Sequence, residues 1–317
     1  MKQLKGEFPD EELKLAYLLR GGGLIAFPTE TVYGLGADAE NSEALERLYE
    51  VKGRPKDHPV IVHIGNLDYL DYWAKEVPQY ALDLGKRFWP GPMTLLLPRS
   101  NKALDQVTGG QEVVGIRIPS HPLSQELLNT FHRMDGYGVA APSANRFGQV
   151  SPTNAAAVND ELGPYLSSED LVIDGGQCEV GIESTIIDCT GEQPRILRLG
   201  AITEAMVNEV TPISSSEAET QLRVSGNLPR HYAPNAKILL NKSTQPGDGF
   251  LASASYETPA DAIRLASPRN VEEFAHDLYQ ALRRADEMGL ARVIVVEPEG
   301  DGLAAAIRDR LTRASQQ

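Results

Sequence analysis

Apolar residues along this chain of 317 residues recur with two periods, and the alternation of those periods predicts its architecture. Leu15, Leu18 and Leu19 share one face of a helix predicted over 9–20, with Asp10 as its N-cap. Gly21-Gly22-Gly23 then releases the chain into Leu24-Ile25-Ala26, an apolar run that reads as a strand over 24–28. A helix over 42–51 follows, its stripe formed by Ala44, Leu48 and Val51, and leads to a strand at 60–64. Beyond it the pattern predicts a helix over about 79–88, an apolar strand after Trp89-Pro90-Gly91-Pro92, a strand at 113–119 and a helix at 123–132. Another helix starts near Thr153, and short strands close this half at 171–174, in 184–188 and at 196–200. Short strands interleaved with helices predict an α/β fold.

Near residue 203 the texture changes. Thr211-Pro212-Ile213-Ser214-Ser215-Ser216-Glu217 is polar and poor in apolar residues, as a linker is. The remainder is a small α/β unit with strands predicted at 236–240, 249–252, 262–265 and 292–296. Its helix from Asn270 carries Phe274, Leu278 and Leu282 on one face, and a last helix groups Leu303, Ile307 and Leu311. The expected organisation is a first domain over 1–203, a linker or lid over 204–235 and a second domain over 236–317, in keeping with a chain too long for one core.

Composition narrows the class. With 41% hydrophobic and 23% charged residues, the chain belongs with ordinary globular proteins. No apolar run approaches the roughly 18 residues of a membrane span. Lys2, Lys5, Glu7 and Asp10 leave no apolar signal core, so a cytoplasmic location and no membrane contact are expected. Cys178 and Cys189 have no neighbouring His pattern, which argues against zinc and for free thiols. A net charge of −14 repels a phosphate backbone unless basic groups are segregated. Lys52, Arg54, Lys56, Arg117, Arg195, Arg198 and Arg230 cluster by motif, which suits a small anion in a pocket better than a nucleic-acid track, with a weak tRNA contact left open.

The candidate chemistry gathers at strand ends, where open α/β sheets bind ligands. Phe27-Pro28-Thr29-Glu30-Thr31-Val32-Tyr33-Gly34-Leu35-Gly36 places hydroxyls and a carboxylate where a buried strand turns, beside two glycines that let the backbone come close. Lys52-Gly53-Arg54-Pro55-Lys56-Asp57-His58-Pro59 is a basic loop pinned by two prolines; alone it would read as a solvated face. His63 sits on an apolar strand, either as a ligand contact or as a hydrogen-bonded core histidine. Arg117 and Arg198 interrupt apolar strands, and a charge there is costly unless it meets an ion pair or an anionic ligand. The loop 138–153 offers Ser143, Asn145 and Ser151 as short hydrogen-bonding groups; without a Gly-x-Ser-x-Gly elbow, Ser143 does not read as a nucleophile. Arg230-His231-Tyr232-Ala233-Pro234 places functional side chains in connecting chain, as a lid would.

Pro28-Thr29-Glu30-Thr31-Val32-Tyr33-Gly34-Leu35, Lys52-Gly53-Arg54-Pro55, Pro142-Ser143-Ala144-Asn145, Glu183-Ser184-Thr185-Ile186-Ile187-Asp188 and Arg230-His231-Tyr232-Ala233-Pro234, in this order, closely resemble the Sua5/YrdC/YciO family. The resemblance spans nearly the whole chain and is closest to the longer Sua5 branch; in the second domain it rests on architecture and on Ala306-Ile307-Arg308-Asp309-Arg310. It implies a YrdC-like twisted mixed sheet around a concave cavity, followed by a smaller Rossmann-like α/β domain. The implied activity is that of an L-threonylcarbamoyladenylate synthase, a nucleotidyltransferase that uses L-threonine, bicarbonate and ATP. Its product feeds the N6-threonylcarbamoyladenosine (t6A) modification of tRNA next to the anticodon, through a downstream transferase machinery.

Carried over residue by residue, the resemblance implies that Thr31, His63, Ala141 and Ser184 hold the threonine, with Arg117 or His121 near its carboxylate. Lys52, Arg54, His58, Arg117, Ser143, Asn145, Ser151, Arg198 and Tyr232 would hold ATP, with Lys52 and Arg54 steadying the departing pyrophosphate. Mg²⁺ would ride on the triphosphate without protein ligands. His58 stands where the family commonly has Asn, and Ser225-Gly226-Asn227-Leu228-Pro229-Arg230 lacks the family's usual Lys-Tyr before Arg-His-Tyr. Two rivals are an RNA-binding module on the same fold, which the acidic charge opposes, and a carbamoyl-transfer enzyme of hydrogenase maturation, whose zinc-finger cysteines this chain lacks.

Overall fold

A computed structural model describes residues 3–5, 11–214, 222–226 and 232–316. Residues 215–221 and 227–231 of the expected linker lie outside the described residues, among them Arg230 and His231 of the expected lid.

The first half forms one mixed sheet from β1 (Gln3–Lys5), β2 (Ile25–Phe27), β3 (Gly34–Asp38), β4 (Ile61–His63), β5 (Met93–Pro98), β6 (Val113–Arg117), β7 (Val139–Ala140), β8 (Leu171–Asp174), β9 (Thr185–Asp188) and β10 (Arg195–Arg198). Its order is β1-β8-β2-β3-β7-β4-β6-β5-β9-β10. Neighbours include parallel pairs such as β4–β6 and β5–β9 and antiparallel pairs such as β2–β3 and β5–β6. This is the mixed α/β sheet the sequence led us to expect.

Three strands were not anticipated. β1 and the two-residue β7 are too short to carry a periodic signal, and they exist through pairing with distant partners. β3 hides behind Gly34 and Gly36, which depress strand propensity. At Gly36 the reason is packing, since a Cβ there would lie 2.7 Å from Val139 Cγ1 and 2.8 Å from Phe27 Cε1.

The helices follow local signals closely. Helix Ser42–Lys52 starts on Asn41, whose side chain accepts from Glu43 N and Ala44 N, and stops at Gly53, which adopts φ 58°. That stop places Arg54 beside the chain that enters β4, where it meets the carbonyls of His58 and Pro59. Helix Pro122–Arg133 has Pro122 in its first turn, and the ring of His121 accepts from Leu123 N. Helix Gln79–Phe88 matches its predicted bounds.

The second half builds a parallel sheet of β11 (Lys237–Leu240), β12 (Gly249–Leu251), β13 (Ile263–Ala266) and β14 (Arg292–Val295), in the order β11-β14-β12-β13. Helices Val271–Glu287 and Leu303–Ser315 bury Phe274, Leu278, Leu282, Ile307 and Leu311 against Ile238, Leu251 and Val293. The same apolar cluster takes in Val32, Val150 and Ile182 from the first half, so the two sheets share a dry seam.

Candidate functional site

The turn after β2 is organised by one hydroxyl. Thr29 Oγ1 donates to the Val32 carbonyl at 2.7 Å and accepts from the backbone N–H groups of Thr31 and Val32, each at 3.2 Å. This fold-back aims Glu30 and Thr31 at the end of β6, where Arg117 waits. Arg117 Nη2 donates to Glu30 Oε1 at 2.6 Å and to Thr31 Oγ1 at 2.8 Å, and Glu30 Oε2 accepts from Ser120 N at 2.8 Å. Burial leaves Arg117 Nε without a hydrogen-bond partner among the described residues.

Beside this pair opens a cleft enclosing about 540 Å³ of space free of protein atoms, its mouth included. Its walls carry Thr29, Arg54, His63, Arg117, Ala141, Ser143, Ser184, Arg198, Ser225 and Tyr232. The cationic side is deeply set, for Arg54, Arg117 and Arg198 are only 8%, 4% and 5% exposed. Arg198 holds the Ser184 carbonyl with Nε at 3.0 Å and Nη2 at 2.9 Å, reaches Ser184 Oγ at 3.1 Å, and gives Nη1 to the Ser225 carbonyl at 2.8 Å. Arg54 donates to the Pro59 carbonyl at 2.7 Å and to Ser225 Oγ at 3.1 Å. Among the described residues no carboxylate hydrogen-bonds to Arg54 or Arg198. Two guanidinium groups therefore face the cleft with their charge uncompensated by a direct partner, which makes it a receptor for an anion.

Burial and the neighbouring Arg198 lower the Arg54 pKa to about 10, so the group remains cationic at neutral pH. His63 is the opposite case: burial and then the Arg117 charge pull its pKa down to about 3. Its ring is neutral, with Nδ1 3.2 Å from the Ile61 carbonyl and an edge-on contact to Phe27. The expected choice between core histidine and ligand contact dissolves, since His63 is buried and lines the cleft as well.

The structure thus brings Arg54, His63, Arg117, Ala141, Ser143, Ser184, Arg198 and Tyr232 to one cleft. Thr31 lies one hydrogen bond behind it, through Arg117. Lys52 is fully buried and gives its ammonium to the carbonyls of Ser143 and Asn145, so it braces the Ser143 loop from behind. Desolvation pulls its pKa well below the ordinary lysine range. Asn145 is tied through Nδ2 to the carbonyls of Arg146 and Gln149, while its Oδ1 has no partner among the described residues. Ser151 donates to Glu183 at 2.7 Å. His121 caps a helix and His58 packs edge-on against Phe147; neither is on the cleft wall.

Arg117 and Arg198 raised one question from sequence, ion pair or ligand, and the answers differ. Arg117 has its carboxylate and also faces the cleft, whereas Arg198 is held by neutral oxygens. Glu183 and Ser225 were not singled out from sequence, and Thr29 and Glu30, quoted within the polar turn, were assigned no contact. The burial rule that singled out Arg117 also demanded a buried carboxylate, and Glu30 was the nearest within the quoted motif. Among the described residues no three His, Cys, Asp or Glu side chains converge as a metal cage, and no helix is long and apolar enough to cross a membrane.

Comparison with known proteins gives the same outline. Residues 17–200 match the family model Sua5/YciO/YrdC, described as telomere recombination, and residues 202–316 match one described as the threonylcarbamoyl-AMP synthase C-terminal domain. The chain is 37% identical to the threonylcarbamoyl-AMP synthase of Pyrococcus abyssi over 96% of its own length and 95% of the relative's. It is 36% identical to that of Bacillus subtilis, over 95% and 91%. The crystal structure of P. abyssi Sua5 complexed with L-threonine superposes with a TM-score of 0.86 at 34% identity, covering 99% of this chain and 96% of that one.

Proposed function

Since the chain belongs to the Sua5/YrdC/YciO family, we propose that it is an L-threonylcarbamoyladenylate synthase, converting L-threonine, bicarbonate and ATP to threonylcarbamoyl-AMP and pyrophosphate for t6A modification of tRNA. The observation that carries this reading is the cleft itself, where buried Arg54, Arg117 and Arg198 stand beside the hydroxyls of Thr29, Ser143 and Ser184. A zwitterion with a hydroxyl and a polyanion together need that combination of donors.

The chemistry is nucleotidyl transfer. The threonine amine attacks the bicarbonate carbon, and loss of water leaves a carbamate. A carbamate oxygen then attacks the α-phosphorus of ATP, and the bond to the bridging oxygen breaks as pyrophosphate departs. Nothing in this sequence calls for a covalent enzyme intermediate, so the protein contributes positioning and charge neutralisation. Arg54 and Arg198 take the phosphates. Arg117, held by Glu30 and with Nε unpartnered, takes the threonine carboxylate. Ser184, Thr31, Ala141 and neutral His63 surround the rest of the amino acid. Ser143 and Tyr232 face the nucleotide from the cleft wall, Asn145, Ser151 and His58 support it from behind that wall, and Lys52 serves it through the Ser143 loop. The metal ion expected with ATP is Mg²⁺, which supplies further charge neutralisation when bound on the phosphates.

We assign the catalytic domain to 1–203, the linker to 204–235 and the C-terminal domain to 236–317. A cytoplasmic enzyme that hands its product to a tRNA-modifying transferase fits this chemistry. The test is mass-spectrometric detection of threonylcarbamoyl-AMP from purified protein given ATP, threonine and bicarbonate; its absence, with ATP and threonine unconsumed, would refute the reading.

A further inference from the structure

We propose that Arg310, on the last helix, is a positioning residue for the reaction, so that the C-terminal sheet and helices form part of the active site's framework. The inference rests on the function proposed above. Arg310 is 1% exposed, and its fork engages the first half of the chain at two points. Nε donates to Glu183 Oε2 at 2.9 Å, and Nη2 donates to the Leu199 carbonyl at 2.8 Å. Glu183 immediately precedes Ser184, and Leu199 immediately follows Arg198. One guanidinium therefore grips the neighbours of two cleft residues that are themselves joined, Arg198 to the Ser184 carbonyl.

The rest of the cluster tightens this grip. Tyr279, on helix Val271–Glu287, donates its hydroxyl to Glu183 Oε2 at 2.8 Å, while Ser151 occupies Oε1 at 2.7 Å. Arg310 also lies over the ring of Tyr232, 5.3 Å from its centroid, and that ring stacks against Tyr279 at 5.6 Å. Tyr232 lines the cleft from the expected lid, so the same arginine backs a third wall residue.

Adhesion between the halves does not require this device. Val32, Val150 and Ile182 already seal the seam against Phe274 and Leu278, and apolar contact alone can hold two units. A buried ion pair adds little net stability, because desolvation offsets most of its attraction. What a planar, bidentate fork contributes and an apolar contact does not is direction. Here it fixes the Glu183 side chain and the backbone at 199, and through them the aim of Ser184 and Arg198. Displacements of about 1 Å in such supports cost on the order of a hundredfold in rate.

The test uses the full chain and the variants Arg310→Gln, Arg310→Lys and Tyr279→Phe, with Arg313→Gln as a control on the same helix. Pyrophosphate release is measured with threonine and ATP varied in turn, at a temperature where circular dichroism shows each variant folded. Arg310→Gln is expected to lower kcat/KM for threonine about tenfold or more and to raise KM for ATP. Tyr279→Phe should show the same pattern, severalfold. Arg310→Lys, which keeps the charge without the fork, should recover part of the loss, and Arg313→Gln should match wild type. Values within twofold of wild type for folded Arg310→Gln and Tyr279→Phe overturn the inference; if Arg310→Gln does not fold, that result for Tyr279→Phe alone overturns it. A wild-type protein that makes no threonylcarbamoyl-AMP refutes the proposed reaction, and the inference falls with it.

Discussion

Arg117 and Glu30 form an ion pair closed to solvent on both sides, Nη2 to Oε1 at 2.6 Å with each side chain 5% exposed. The pair stands at the junction of the turn after β2 and the end of β6, so it holds the fold together at the point where the cleft opens. Removing one partner of such a pair leaves a buried charge uncompensated. Glu30→Ala should therefore cost about 3–5 kcal/mol of stability. Urea unfolding at neutral pH measures it, and a loss below about 1 kcal/mol would show that water reaches Arg117 after all.

Arg54 offers a different kind of change, because its hydrogen-bond partners are three neutral oxygens, those of His58, Pro59 and Ser225. Arg54→Ala should cost about 2–4 kcal/mol of transition-state stabilisation, roughly 30-fold to 1000-fold in turnover. Pyrophosphate release at saturating substrates reads this directly. Undiminished release would remove Arg54 from any role at the phosphates.

The elements were legible from sequence wherever a local signal existed. Asn41, Gly53 and Asn270 announce helix ends because caps act within a few residues. The large sheet's order and the strand Gly34–Asp38 were not legible, since they depend on pairing with residues such as Val139 and Ala140 about a hundred positions away. The site divides in the same way. Arg54, Arg117 and Arg198 stood out because a buried charge is costly. Glu183 as partner of Arg310 did not, because 127 residues separate them and nothing in either neighbourhood points to the other. Lys52 was visible as a basic residue, but its turn away from the cleft toward two carbonyls is a matter of tertiary packing.

That orientation makes Lys52 testable in the absence of any ligand. Its ammonium satisfies the carbonyls of Ser143 and Asn145 in a buried setting, and leaving a buried acceptor unpaired costs about 1–3 kcal/mol. Lys52→Met should lower the melting temperature of the ligand-free protein and weaken ATP binding through the loosened Ser143 loop. If Lys52 served only as a phosphate contact, the ligand-free melting temperature would hold or rise.

Truncation tests the seam between the sheets. A cut after residue 214 keeps Val207, which is fully buried in the large core, but exposes Val32, Val150 and Ile182 and strips Glu183 of Arg310 and Tyr279. Such a fragment should fold with stability lowered by about 3–5 kcal/mol, most of it from the apolar surface of Val32, Val150 and Ile182 that returns to water, while the Glu183 carboxylate becomes solvated. Its turnover should fall by about a hundredfold or more. Wild-type turnover from a folded fragment would reduce the C-terminal sheet to a passive appendage.

Acid should weaken the fold well before the carboxylates titrate. His63 has a pKa of about 3 in the folded protein, against an unfolded value near 6.5, because burial and the Arg117 charge exclude its protonated form. Between those values the unfolded chain binds a proton that the native protein refuses, so stability falls as pH drops through about 6.5. Burial lowers the pKa values of His58, His121 and His132 too, which adds to the slope with the same sign. Glu183 is stabilised in its ionised form by Arg310 and Arg198 against the cost of burial, and it contributes only below the ordinary glutamate range. From pH 7 to pH 5, His63 alone should account for about 2 kcal/mol of lost stability. Urea unfolding of wild type and His63→Asn at both pH values isolates that share. The variant should lose about 2 kcal/mol less than wild type over the interval, and equal losses would mean that His63 accepts its proton without opening the cleft.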